Sequence, residues 1–270
     1  MRIDLLKPQE DRVMAIFRTT LLAVLLLLGS HALSAQTTYY VRANGNDAND
    51  GLTEATAKLT IGGVDGAATP AVNGDIIDVG AGTFAGATFT ESFIIQGAQA
   101  NAPQTGWPAD GAEHTVINSA ITLNAANLTL TVSGVRFYNE TPFAPVNNGA
   151  TTPTDAIVTL TNCRFDNCNA ITTTAWSELV VMQSAFVNGN TGITATGLDV
   201  LQVEETTFTT FTGTAIDVSG ATGSAFIRYN EFTTINSGNT ASNAAVKLDV
   251  ASLTGEVEVH KNILDRKSVV

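Results

Sequence analysis

Charge is scarce in this 270-residue chain: only 14% of residues are Asp, Glu, Lys or Arg, and acidic side chains outnumber basic ones to a net charge of −12. Long runs of Lys, Glu and Leu are missing, which removes the material of amphipathic helices. No basic stripe is present to release phosphate counterions, which argues against nucleic acid as a partner. Compact catalytic motifs are missing too: the chain has no P-loop, no G-x-S-x-G, no H-E-x-x-H and no zinc-type cysteine pairing. The Asp-rich GNDANDG fails as a calcium loop because Ala48 stands where the alternating pattern needs an oxygen. It reads as a plain turn.

What remains is apolar and small. Apolar residues make up 44% of the chain, and Thr, Asn, Ala and Gly dominate the rest. β-Branched residues with few charges suit stacked strands, so the expectation is one repetitive β domain. Ahead of it, Arg18 precedes an apolar run from Leu21 to Leu28 and small residues around Ala32, Ser34 and Ala35. That is the pattern of a secretory leader over residues 1–35, too short to span a membrane. Acidic residues in MRIDLLKPQEDRV make Met14 the expected natural start. The mature chain is then expected outside the cell or at its surface, without a membrane span. Export permits a bond between the only two cysteines, Cys163 and Cys168, without requiring one.

A repeat organises the middle of the chain. In LVVMQSAF, Leu179, Val181, Ser184 and Phe186 follow the pattern apolar, x, apolar, x, x, small or polar, x, Phe. Upstream copies are Leu130, Val132, Val135, Phe137 and Val158, Leu160, Cys163, Phe165. Downstream copies are Leu201, Val203, Thr206, Phe208, then Ala225, Ile227, Asn230, Phe232, then Val257, Val259, Asn262, Leu264. Alternation within each half predicts a strand, and the shift between halves predicts a bend. Between copies lie AITTTA, GITATG, AIDVSG and AVKLDV, a third short strand. Three strands per coil of roughly 22 residues predict a parallel β-helix, with the Phe residues stacked in one internal column. Asn139, Asn167 and Asn188, each two residues after a Phe, are expected to bridge turn groups between coils, or to be there because Asn suits turns.

The opening stretch YYVRANGNDANDGLTEATAKLTIGG, followed by NGDIIDVGAGTF, resembles the start of secreted right-handed parallel β-helix proteins of the pectin-lyase-like superfamily, with Phe84 in place of Tyr. The resemblance spans residues 39–264. It implies an opening strand and N-terminal cap over 36–74, with a short helix near Ile61 to Ala68, and β-helix coils over 75–264. The superfamily contains lyases, hydrolases and non-catalytic surface proteins, so it implies fold more than activity. The chain stops just after a coil, in DRKSVV. That hexapeptide is what GATCGGAAGAGCGTCGTG encodes, a string that reads like a sequencing-adapter end. Residues 265–270 are therefore expected to be non-native, and the natural protein to continue.

Two clusters of outward residues arise from the register. In the third strands, Asp217, Lys247 and Asp249 face out where earlier coils carry Thr172, Thr174, Thr194 and Thr196. By the resemblance this face is a substrate-groove floor, where Asp217 and Asp249 could hold a cation such as calcium and Lys247 could bind or deprotonate a sugar acid. The plainer alternative is an ion pair between Asp217 and Lys247. Around the bend come Glu204 and Glu205, then Arg228, Tyr229 and Glu231, then Glu258, His260 and Lys261, as a binding surface or as charge pairs that support stacking. Trp107 and Phe143, in loop insertions, could offer flat faces to sugar rings or fold down on the coils. Trp176 sits in a turn between strands, with the same two roles open.

Two functions follow as expectations. One is a non-catalytic extracellular module that binds a polysaccharide or a cell-surface partner. The other is a polysaccharide lyase or glycoside hydrolase built on Asp217, Lys247 and Asp249. The Thr-rich exterior favours the first.

Overall fold

A computed structural model describes residues 36–65, 71–100, 113–149, 154–218, 222–235, 244–249 and 253–264. The expected leader, the tail 265–270 and Trp107 lie outside the described residues. From Thr37 onward the chain winds as a right-handed parallel β-helix, and every strand pairing among the described residues is parallel.

Alternation in sequence becomes three faces of a coil. A nine-stranded sheet starts at Thr38–Val41 and runs through Asp75–Val79, Phe93–Gly97, Thr129–Ser133, Ala156–Thr161, Trp176–Met182, Leu198–Glu204 and Thr222–Arg228 to Val257–His260. An eight-stranded sheet runs from Gly82–Phe84 to Ile263–Leu264 and holds the Phe positions. The third face is split into a three-stranded sheet (Thr88–Phe89, Ile121–Leu123, Val146–Asn148) and a four-stranded one (Ile171–Thr173, Ile193–Ala195, Ile216–Val218, Val246–Leu248). Period-2 burial follows directly: Leu179, Val181, Leu201, Val203 and Ile227 are wholly buried, and the residues between them face out.

The expected register holds pair by pair. Leu130 partners Val158, which partners Leu179, then Leu201, Ala225 and Val257. Rings of Phe137, Phe165, Phe186, Phe208 and Phe232 stack at centroid spacings of 5.2, 4.3, 4.8 and 5.0 Å, with interplanar angles between 2° and 15°. Such offset stacks stabilise by about 0.5–1.5 kcal/mol per pair beyond area burial.

The bend is a single residue in left-handed conformation. Gly134, Asn162, Gln183, Glu205, Tyr229 and Lys261 hold it in successive coils, with φ between 48° and 65°. Gly134 is required twice over, since a Cβ there would also lie 1.9 Å from the Ala100 nitrogen. One position later stands the small or polar residue of the repeat, and its role is to satisfy backbone inside the core. Ser184 Oγ accepts from the Cys163 N–H at 3.1 Å, Asn230 Oδ1 from the Thr206 N–H at 3.0 Å, and Asn262 Oδ1 from the Asn230 N–H at 2.9 Å. Ser184, Thr206 and Asn230 are buried, and every buried donor so paired avoids a desolvation penalty.

The Asn column after the Phe positions has two causes. Asn167 and Asn188, followed by Thr210 and Thr234, adopt left-handed φ, which Asn tolerates better than most residues. In addition Asn139 Nδ2 donates to the Asn118 carbonyl at 2.8 Å, and Asn167 Nδ2 to that of Asn139 at 3.1 Å. The amides reach backbone of the preceding coil rather than one another.

Three expectations change. Where a helix was expected near 61–68, residues 61–65 form turns, and 66–68 lie outside the described residues; Gly62 and Gly63 disfavour a helix. Ile61 and Val64 are nevertheless wholly buried, so the segment packs onto the core. The single helical element among the described residues is a 3-10 turn, Glu54–Thr56, closed by a Thr53–Thr56 capping box. The insertion at 140–155 contains a third-face strand, Val146–Asn148, too short to show in the sequence. Trp176 opens a long strand with 1% of its surface exposed, and its indole N–H donates to Asn148 Oδ1.

Candidate functional site

The third face carries an outward column. Thr88 partners Thr122, which partners Asn147; after the break, Thr172 partners Thr194, then Asp217, then Lys247. Alternate positions such as Phe89, Ile121, Leu123, Val146, Ile171, Ile193, Ile216 and Val218 are buried, so the residues of this column lie on the outer side of their strands. Thr122 Oγ1 donates to Asn147 Oδ1 at 2.8 Å, and Asn148 Nδ2 crosses the break to the Thr174 carbonyl at 2.8 Å.

Charge enters only at the end of this column. Lys247 Nζ stands 3.3 Å from Asp217 Oδ2, with Lys247 about half exposed and Asp217 mostly covered. Asp217 Oδ1 is buried and accepts no hydrogen bond from the described residues. Asp249 lies two residues beyond Lys247, exposed, its N–H bonded to the Val218 carbonyl at 2.8 Å. Calcium takes six to eight oxygens; among the described residues no group of three or more His, Cys, Asp or Glu side chains is placed to hold a metal ion.

The second predicted cluster assembles on the outer face of the nine-stranded sheet. Arg228 Nε donates to Glu204 Oε1 at 2.8 Å, and Nη1 to Glu258 Oε2 at 2.9 Å. Glu204 accepts a further bond from Arg228 Nη2 and one from Gln202 Nε2 at 3.1 Å. The hydrogen bond and charge of Glu204, with Glu258 behind them, hold the Arg228 guanidinium above its ordinary pKa. His260 Nε2 lies 3.4 Å from Glu258 Oε2, and Lys261 Nζ donates to the Tyr229 hydroxyl at 2.8 Å. Arg228 thus ties three coils together through opposite charges.

Sequence reasoning missed a third cluster. Arg136, Arg164 and Asp166 meet on the outer face of the eight-stranded sheet, and Arg136 lies over the Tyr138 ring at 4.7 Å. The register that exposed the other two clusters already aligned Arg136 with Arg164. Phe143 is half-buried and packs against the core.

The Asp-rich opening loop spends its oxygens on its own backbone. Asp47 accepts from the N–H groups of Leu59 and Thr60, both at 2.9 Å, and from the Thr60 hydroxyl at 2.8 Å. Partial burial alone would raise its carboxyl, but the bonds from Thr60 and Leu59 and the Lys58 charge hold it below its ordinary pKa. Lys58 is buried, with Nζ bonded to the Asp47 carbonyl at 3.1 Å. Cys163 and Cys168 are buried free thiols, each pushed up to about 12 by desolvation.

No protein-family model matches the chain. No curated protein matches it either. Two solved structures of a GH136 lacto-N-biosidase from Eubacterium ramulus align with it. The selenomethionine derivative does so at 9% identity and a TM-score of 0.23, over 96% of this chain and 74% of that one. The native protein does so at 10% identity and a TM-score of 0.22, over 84% and 68%. Likeness of that size carries no argument about this chain's chemistry.

Proposed function

We propose that this chain is a secreted, non-catalytic β-helix module of the pectin-lyase-like kind that binds a linear extracellular polysaccharide along its third face. The observation that carries this reading is the column Thr88, Thr122, Asn147, Thr172, Thr194. Coils rise about 4.8 Å apart, so hydroxyl and amide groups recur along the axis at a spacing close to one pyranose unit. Hydroxyls and carboxamides both donate and accept, which suits sugar hydroxyls without charge.

At the end of the column Lys247 is committed to Asp217, whereas a lysine acting as proton acceptor must shed its proton near working pH. The Arg18 to Ala35 leader pattern supports secretion. Superfamily membership is supported by the opening motif through Phe84.

Affinity electrophoresis through neutral and anionic polysaccharides, with and without calcium, tests the proposal. Retardation without product formation is the expected result, lost when Thr172 and Thr194 are both changed to Val. Shortened or unsaturated products would overturn it in favour of a lyase or hydrolase centred on Asp217, Lys247 and Asp249.

A further inference from the structure

Small residues line the exit from two neighbouring strands of the nine-stranded sheet: Gly80 and Ala81 follow Asp75–Val79, and Ala98 and Ala100 come after Phe93–Gly97. An open cavity of about 590 Å³ lies there, lined by Arg42, Asp78 and Gln96 together with Val79, Ala98 and Ala100. That volume falls within the roughly 300–1,000 Å³ typical of small-molecule sites. One wall is held rigidly. Arg42 Nη1 donates to the Asp78 carbonyl at 2.9 Å and pairs with Asp78 Oδ1 at 2.9 Å, while Nη2 donates to Glu54 Oε1 at 2.9 Å. A Cβ on Gly80 would stand 2.7 Å from Arg42 Cδ, so glycine lets the arginine stem lie against the backbone.

Asp78 and Gln96 are register partners on adjacent coils, in the outward row Tyr40, Asp78, Gln96, Ser133. Both keep polar capacity. Asp78 Oδ1 is engaged by Arg42, whereas Oδ2 accepts no hydrogen bond from the described residues. Gln96 is exposed, and its amide makes no hydrogen bond with the described residues either. One coil apart, about 4.8 Å, a carboxylate oxygen and a carboxamide can hold neighbouring hydroxyls of one ring, since the carboxylate accepts and the amide both donates and accepts. Val79, Ala98 and Ala100 supply apolar surface for the C–H face of such a ring. Charge selects further. Arg42 is already held by the two carboxylates of Asp78 and Glu54, so an anionic ligand would find no unpaired cation and a local excess of negative charge.

We infer that this cavity is a pocket for a terminal, neutral sugar unit with adjacent hydroxyls, and that Asp78 and Gln96 are its polar contacts. The pocket lies on a different sheet from the Thr and Asn column. A pocket takes the end or branch of a glycan where a column takes a run of units, so either site can fail without the other.

The test uses the full chain labelled with 15N and follows the Gln96 side-chain amide and the Ala98 backbone amide. Methyl glycosides of galactose, mannose and glucose are the probes, with glycerol and glucuronate as references. A saturable shift with at least one glycoside, beyond that with glycerol, is expected. Gln96→Ala, read at Ala98, is expected to weaken binding roughly three- to tenfold. Ala98→Phe fills the cavity from an exposed position and is expected to abolish binding, read at Gln96. Should Ala98→Phe fail to fold by circular dichroism, the wild-type titration and Gln96→Ala decide. Changing Thr172 and Thr194 together to Val is expected to leave these shifts and their affinity unchanged; their loss in that variant would move binding to the third face and overturn the pocket. No saturable shift with any glycoside, or unchanged affinity in the folded pocket variants, also overturns it. Tighter binding of glucuronate than of methyl glucoside overturns its assignment to a neutral ring.

Discussion

Asn262 Oδ1 accepts two bonds from Asn230 one coil earlier, from its backbone N–H at 2.9 Å and from its Nδ2 at 3.1 Å. Asn230 repeats the arrangement on the coil before, accepting from the Thr206 N–H at 3.0 Å and donating to the Val203 carbonyl at 2.9 Å. Deep in a stack whose bend leaves one strand N–H per coil facing inward, these side chains are the partners water would otherwise be. Asn230→Leu therefore strands the Thr206 N–H and the Val203 carbonyl in the core. A loss of about 2–4 kcal/mol is expected from the two stranded groups, measured by urea denaturation, with Asn230→Ser milder because Ser184 fills the same position.

The Phe column is the second test. Phe186 is buried between Phe165 and Phe208, at 4.3 and 4.8 Å. Phe186→Ala opens a cavity that neighbouring coils cannot close, and is expected to cost about 3–5 kcal/mol. Phe186→Leu keeps most of the volume and is expected to cost under about 1.5 kcal/mol. Equal midpoints for the two variants would mean that the column is not a packed unit.

Burial of the thiols sets an alkaline limb. Cys163 and Cys168 are pushed up to about 12, so both stay protonated in the fold at pH values where the unfolded chain ionises them. The unfolded state then binds fewer protons, and stability falls as pH rises from about 8.5, the ordinary thiol value, toward about 12. Replacing both cysteines by Ala should flatten that limb. Native protein should also resist a thiol reagent at pH 8 and react fully in urea; rapid labelling of the folded chain would contradict the burial.

Asp47 sets part of the acid limb. Its folded pKa is depressed, so its contribution is present above the unfolded carboxylate value of about 3.9 and is lost as pH falls through the folded value. Asp47→Asn should narrow the difference in denaturation midpoint between pH 6 and pH 3 while lowering the midpoint at pH 6. An unchanged acid limb in the variant would remove Asp47 as its source.

Surface charge pairs should behave differently from each other. Lys247→Met breaks one exposed pair with Asp217, and an effect within about 1 kcal/mol is expected. Arg228→Met removes the shared partner of Glu204 and Glu258 and leaves both carboxylates without that cation. The Arg228 variant should lose more stability than the Lys247 variant, and the gap should shrink in high salt, as screening requires.

Much of this was written in the order of residues. Alternation of apolar positions and the fixed offset to Phe determined the strands, their pairing register and the stacked rings, because a parallel coil repeats one local pattern against itself. Register in turn brought Asp217 beside Lys247, and Arg228 beside Glu204 and His260, with Glu258 reached diagonally. One earlier coil, Phe93–Leu123, escaped the repeat because a long segment separates Gly97 from Thr115 and Ile117 replaces Phe, whereas Ile77, Val79, Gly82 and Phe84 of the coil before it keep the repeat's offsets. Which of two chemically open roles a residue takes was decided by tertiary structure alone. The small or polar position became a buried hydrogen-bond ladder, since only the folded bend aims one coil's N–H at the next coil's side chain. Trp176 went into the core and Phe143 against it, since burial of an aromatic ring depends on what the neighbouring coil leaves uncovered. Asp166 became a shared clamp for two arginines, since a carboxylate can serve two cations only when separate coils bring them to it.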